Sequence, residues 1–148
     1  MNTGNSIRIF IATENTFSCS MYQQYLFSEG YEDVTAFTDS TSLLAAFEVT
    51  GVPDIVFLEY TIQFPDTGSV LQRIKQFDPA IYVVLIAEQE DRHNAANLLQ
   101  LGAFDFLVKS SGDGHCMSRI IKKIKHLKAC LQIRMPLLDK EDEFVSCR

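Results

Sequence analysis

The feature that most constrains this chain is an alternation that runs nearly its whole length. Short apolar runs at 7–12, 33–37, 55–59, 81–87 and 104–108 are separated by segments whose apolar residues recur every three or four positions. The separating segments carry helix punctuation. The first spans 18–29 and stops at Gly30, where a left-handed cap costs least. The second starts from Asp39 or Ser40, sets Leu43, Leu44 and Phe47 on one face and breaks at Gly51 and Pro53. Val70, Leu71, Ile74 and Phe77 mark a third, ended by Asp78-Pro79, and 94–101 a short fourth, closed by Gly102. In the last, Met117, Ile120, Ile121, Ile124, Leu127 and Leu131 form one stripe, with Lys122, Lys123, Lys125 and Lys128 largely off it. Five strands alternating with five helices predict βαβ units with right-handed crossovers. The expected class is therefore α/β: a doubly wound, five-stranded parallel sheet covered on both faces, a three-layer sandwich.

Composition narrows the setting. At 148 residues and 47% hydrophobic the chain suits one compact domain, expected over 1–131. Residues 132–148 hold Pro136 and an acidic stretch, and read as a tail or truncated linker, too short for a DNA-binding fold. No apolar run approaches the roughly 18–20 residues of a membrane span, and the start lacks a secretory signal, so a cytoplasmic protein without membrane contact is expected. Cys19, Cys116, Cys130 and Cys147 show no CxxC pairing, which fits reduced thiols and no zinc site. A net charge of −6 disfavours direct nucleic-acid binding. The basic residues gather between Lys109 and Arg134, where a solvated helix face is the plain reading.

In a doubly wound sheet, ligands sit outside the carboxyl ends of the strands. The residues to weigh are then Thr13 and Glu14, Glu59, Ile86 and Ala87, and Lys109. The sharpest of these is Glu59, a carboxylate closing the apolar run Ile55-Val56-Phe57-Leu58.

Two stretches carry a resemblance. Pro53-Asp54-Ile55-Val56-Phe57-Leu58-Glu59 is similar to PDLVLLD, and Gly102-Ala103-Phe104-Asp105-Phe106-Leu107-Val108-Lys109 to GADDYLVKP, of response-regulator receiver domains, the CheY-like branch of the flavodoxin-like fold. The resemblance covers about 7–131. It implies an acidic pair holding magnesium at Thr13 and Glu14, a phosphoacceptor at Glu59, a hydroxyl at Ile86 followed by Ala87, a switch aromatic at Phe106 and a phosphate-contacting lysine at Lys109. Of the acidic, acceptor, hydroxyl and lysine positions, only the lysine matches outright. Ser110 stands where the family has proline, and a longer loop after Glu59 displaces a backbone magnesium ligand at Thr61.

The departures can be weighed chemically. Glutamate adds a methylene to the acceptor, moving the attacking oxygen by about 1 Å, a displacement that can cost on the order of 10²-fold. Thr13 removes a carboxylate from a hard-cation site, leaving Glu14 and Glu59 as the only acidic ligands for magnesium, and Ile86 removes a hydrogen-bonding group. Together they predict a pseudo-receiver: no enzyme and no resident cofactor, independent of phosphorylation. Whether Glu59 mimics a phosphorylated state against Lys109 or forms a structural ion pair stays open. The resemblance further implies a docking face of Asn94, Asn97, Phe106, Arg119, Lys122 and Lys123. Its occupant would be a histidine kinase, a phosphotransfer protein, a downstream effector or, as a homodimer, a second copy. Two alternatives remain: slow phosphorylation of Glu59 with magnesium, and a flavodoxin-like FMN protein using the hydroxyl-rich loop 12–18.

Overall fold

The computed structural model describes residues 6–60, 66–110 and 112–140, with the side chains of the last helix as far as Leu131. The elements follow the expected order: β1 Ile9–Ala12, α1 Thr16–Ser28, β2 Val34–Phe37, α2 Ser40–Thr50, β3 Ile55–Glu59, α3 Thr67–Phe77, β4 Tyr82–Ala87, α4 Arg92–Asn97, β5 Asp105–Val108 and α5 Asp113–Lys140. The strands form one parallel sheet in the order β2-β1-β3-β4-β5.

The central strands are covered on both sides, which is why they read as unbroken apolar runs. On one face Ile9, Ile11, Ile55, Phe57, Val84 and Ile86 pack with Tyr22 and Leu26 of α1 and Met117, Ile121 and Ile124 of α5. On the other, Phe10, Val56, Leu58, Val83 and Leu85 pack with Leu43 and Phe47 of α2, Val70, Leu71 and Ile74 of α3, and Ala95 of α4. Side chains alternate between these layers along each strand, so strand-end residues of like parity share a face.

The helices after β1, β2 and β3 start alike, each from an Asx side chain at the carboxyl rim. Asn15 accepts from the Ser18 N–H at 2.9 Å, Asp39 from Ser42 at 2.7 Å and Asp66 from Ser69 at 2.8 Å. Each bond satisfies one orphan donor of its helix. Asn15 thus starts α1 at Thr16, two positions before the apolar periodicity becomes visible. At the opposite rim, the Arg8 N–H donates to Asp54 at 2.8 Å, and its guanidinium bridges Asp33 and the Thr50 carbonyl.

Two elements differ from the sequence reading. The expected fourth helix is one and a half turns of α-helix between 3₁₀ turns at 89–91 and 98–101. Its one buried anchor in α4 is the small side chain of Ala95, and 3₁₀ turns are frequent at the ends of α-helices. The last helix continues past residue 131, through Pro136, to Lys140. Leu127 and Leu131, placed on the core stripe by their spacing, are exposed, because the helix has run beyond the sheet's edge.

Gly102 closes the 3₁₀ turn with φ 115°, and a Cβ there would lie 3.3 Å from Lys75 Cε. The Lys75 side chain is fixed by bonds to the carbonyls of Pro79 and Ile81 at 3.0 and 2.7 Å. Gly102→Ala is therefore expected to destabilise the fold by about 1–2 kcal/mol, read as a lower urea midpoint at unchanged m-value.

Candidate functional site

The carboxyl ends of β1, β3, β4 and β5 converge on one carboxylate. Glu59 is the last residue of β3, facing Ile86 of β4 in register. Lys109 follows β5 directly, and its N–H extends the ladder to the Ala87 carbonyl at 2.8 Å. By parity both side chains emerge on the α1 and α5 face, and they meet over Ile86: Lys109 Nζ lies 2.7 Å from Glu59 Oε2. Each of these two side chains keeps only 20% of its surface exposed. Glu59 Oε1 accepts the backbone N–H of Glu14 at 3.1 Å, which ties the end of β3 to the end of β1.

Sequence reasoning missed a third charge. Glu88, one residue past β4, places Oε2 3.2 Å from Lys109 Nζ, so the ammonium is shared by two carboxylates. Glu88 is 51% exposed, and its contribution is correspondingly screened. The signal was present as the acidic residue after Ile86-Ala87, but only the loop's path brings it to the lysine. Burial alone would push the Lys109 pKa down; the bonds and charges of Glu59, then of Glu88, outweigh it and hold the ammonium above its ordinary value. Beneath the site, Tyr22 donates to Asp113 Oδ2 at 2.8 Å, joining α1 to the start of α5. Burial first, then the Asp113 bond and charge, push the Tyr22 phenol well above its usual range.

The remaining sequence-derived positions take distinct places. Thr13 is buried, with its hydroxyl donating to the Asn15 carbonyl at 3.0 Å and 3.4 Å from Cys19 Sγ. Glu14 has an exposed side chain and engages Glu59 only through its backbone. Ile86 and Ala87 are fully buried. Phe106 has the opposite parity to Leu107 and lies half-buried against the α2, α3 and α4 layer, away from Glu59. Thr61 and Cys147 lie outside the described residues, while Cys19, Cys116 and Cys130 are free thiols.

As a magnesium site the arrangement fits poorly. Both Glu59 oxygens are engaged, one by an ammonium that already neutralises it, and the Thr13 hydroxyl is turned onto a backbone carbonyl. No group of three acidic, His or Cys ligands occurs among the described residues. The flavin reading also lacks support: the Ser18 N–H is bound to the Asn15 side chain, and the cavity beside Glu59, lined by Thr13, Thr38, Ser40, Thr41 and Thr67, holds about 170 Å³. That is below the ~300 Å³ of a typical ligand pocket.

On the expected docking face, a groove of about 770 Å³ is lined by Phe106, Val108, Cys116, Arg119, Ile120 and Lys123, among others. Asn94, Asn97 and Lys122 are exposed but do not line it. The lysines of α5 are dispersed around the helix rather than gathered on one side: Lys123 lies over the Phe104 ring, Lys125 over Tyr31, and Lys128 pairs with Asp54 at 3.0 Å.

Residues 9–121 match the family model described as the response regulator receiver domain. The chain belongs to this family, the receiver domains of two-component signalling. It is 27% identical over 124 residues to the chemotaxis protein CheY of Treponema pallidum (strain Nichols), covering 82% of this chain and 85% of that protein. It is 30% identical over 118 residues to the response regulator PleD of Caulobacter vibrioides (strain NA1000 / CB15N), covering 78% of this chain but spanning only 25% of that longer protein. A response regulator receiver domain protein from Clostridium thermocellum superposes with a TM-score of 0.76 at 21% identity, over 84% of this chain and 98% of that one, a likeness of fold. No helix among the described residues is long and apolar enough to cross a membrane.

Because the folded state holds the Lys109 proton more tightly, the pair's stabilisation is fully present below the ordinary lysine value of 10.5 and is lost as pH rises through and above it. Lys109→Met should destabilise by about 1–3 kcal/mol at neutral pH, less than the ~3–5 kcal/mol of a fully buried pair. The urea midpoints of variant and wild type should converge above that pH. Tyr22, also raised, titrates in the same direction in both proteins and cancels in the comparison.

Proposed function

We propose that this receiver domain works independently of phosphorylation, as a cytoplasmic docking module whose rim is held in one state by its own side chains. One observation carries the reading: both the lysine and the acceptor carboxylate, the groups an incoming phosphoryl group would need, are already bound to each other at 2.7 Å. Acyl-phosphate formation requires an in-line carboxylate and a cation free to neutralise transferred charge. Here the cation is already paired with Glu59 and, more weakly at the exposed edge, with Glu88, and the Ile86 side chain offers no hydrogen bond to an added oxygen. A carboxylate held by Lys109 resembles in charge and position an acceptor that never discharges, and it ties β3 to β5 in either case.

The output is binding of a protein partner on the face of α4, β5 and α5. The partner class is that of the family: a histidine kinase, a phosphotransfer protein or a downstream effector. Arg119 and Lys123, two cations against the single carboxylate of Asp105 in its lining, border the groove there over an apolar floor that includes Phe106 and Ile120. A cationic rim of this kind suits an acidic partner segment better than a second copy, which would bring the same cations into apposition.

Incubation with acetyl phosphate and magnesium, followed by intact mass measurement, is expected to add no phosphate to the wild type or to Glu59→Asp. A phosphate adduct on the wild type that is absent from Glu59→Gln would instead make Glu59 a slow acceptor. Reversing Arg119→Glu with Lys123→Glu should weaken partner capture at least about tenfold and flatten its dependence on salt. Surface plasmon resonance against the captured partner reads both.

A further inference from the structure

The last helix carries a pair of soft, metal-ligating side chains far from the strand-end site. His126 and Cys130 stand four residues apart on α5, so they project from the same side of the helix one turn apart. Cys130 Sγ lies 3.7 Å from His126 Nε2. His126 is exposed and Cys130 half-buried, so an ion can reach both atoms from solvent. Ligands four residues apart on one helix face point at a single zinc ion in metalloprotease helices. In a tetrahedral site with zinc–sulfur bonds of about 2.3 Å and zinc–nitrogen bonds of about 2.05 Å, the two donor atoms stand about 3.6 Å apart. The pair is thus already held at the width of one tetrahedral edge.

We propose that His126 and Cys130 together bind one zinc-class divalent cation, an ion that takes thiolate and imidazole ligands readily. Cys130 binds as the thiolate, releasing its proton to solvent, and His126 gives the Nε2 lone pair of its neutral ring. Water fills the remaining positions. This is an open surface site, distinct from a closed structural centre: the chain has no CxxC pairing, and no group of three ligands occurs among the described residues. Magnesium, which takes oxygen ligands, is not suited to the pair, so the site differs in chemistry as well as in place from the rim at Glu59. The charge around it is mixed. Lys123, Lys125 and Lys128 are drawn to Phe104, Tyr31 and Asp54. Lys122 precedes His126 by one turn and Arg134 follows Cys130 by one turn, so both oppose an added cation, and the thiolate formed on binding offsets part of that repulsion. A bound ion would clasp two successive turns of α5 at the base of the segment that continues to Lys140, past the sheet. The consequence is a cation-dependent stiffening of that end of the helix.

Cobalt(II), added alone to the reduced full chain carrying Cys116→Ser and Cys147→Ser, reads the site directly; Cys19 is buried and can stay. Thiolate-to-cobalt charge-transfer absorption should rise to a plateau at one equivalent and fall when zinc is added. In that background Cys130→Ser should abolish the absorption, and His126→Gln should weaken cobalt binding at least about tenfold. Lys122→Glu, which exchanges an opposing charge for a carboxylate one turn before His126, should tighten it by a similar factor. Zinc should also slow amide hydrogen exchange over residues 126–131 at least about threefold in the wild type and leave it unchanged in Cys130→Ser. These positions lie on the outside of the helix, and matching circular dichroism of the metal-free variants checks that the fold is kept. A chain that shows no thiolate absorption with cobalt overturns the proposal, as does absorption that survives Cys130→Ser. Binding that needs Cys130 but ignores both His126→Gln and Lys122→Glu overturns it too, since it marks a lone thiol taking up metal without the pair.

Discussion

The rim of this molecule depends on a charge pair that skips a strand. Glu59 and Lys109 end β3 and β5, with β4 lying between them, so their backbones stand about two strand spacings, roughly 9–10 Å, apart. Only two long side chains reaching over Ile86 close that distance to 2.7 Å. The pair therefore couples three strands and, through the Glu14 N–H, a fourth. Its partial burial removes competition from water, and Ile86 beneath it offers no alternative partner.

That arrangement has a consequence for the family's chemistry. A switch needs a cation able to move between two anionic partners and a carboxylate open on one side. Here the lysine has two carboxylates at once, and the acceptor-position glutamate has a donor on each oxygen. At these strand ends Glu59 and Lys109 are bound to one another. Two parts of its surface differ sharply: a groove beside β5 where Arg119, Lys123 and Asp105 surround an apolar floor, and the uncharged helix α1 with exposed apolar side chains.

The energetics fit this division. The core consists of two apolar layers without buried, unpartnered side-chain polar atoms among the described residues. The polar bonds that matter lie at the rims, where caps from Asn15, Asp39 and Asp66 fix the helix starts and Arg8 ties the opposite ends of the strands. Positions at the rim are thus set by rigid elements rather than by the loops that carry them.

The sequence by itself determined the architecture and the strand ends. Strands buried on both faces must be continuously apolar, and glycine, proline and Asx residues mark where such runs stop, so 55–59 and 104–108 could be read directly and Glu59 and Lys109 found with them. Periodicity also located the buried side of α5, because Met117, Ile121 and Ile124 repeat at helical spacing. Tertiary structure alone decided the rest. Glu88 joins Lys109 only through the path of the β4–α4 connection, which no local pattern encodes. The run of lysines looked like one face in the sequence, yet Phe104, Tyr31 and Asp54 draw its members to different sides. Leu127 and Leu131 obey the same period as their buried neighbours but lie beyond the sheet, and Phe17, Met21 and Phe27 are left uncovered because α1 packs by its other side. Period and composition specify which residues prefer burial; how far the sheet extends beneath them decides which achieve it.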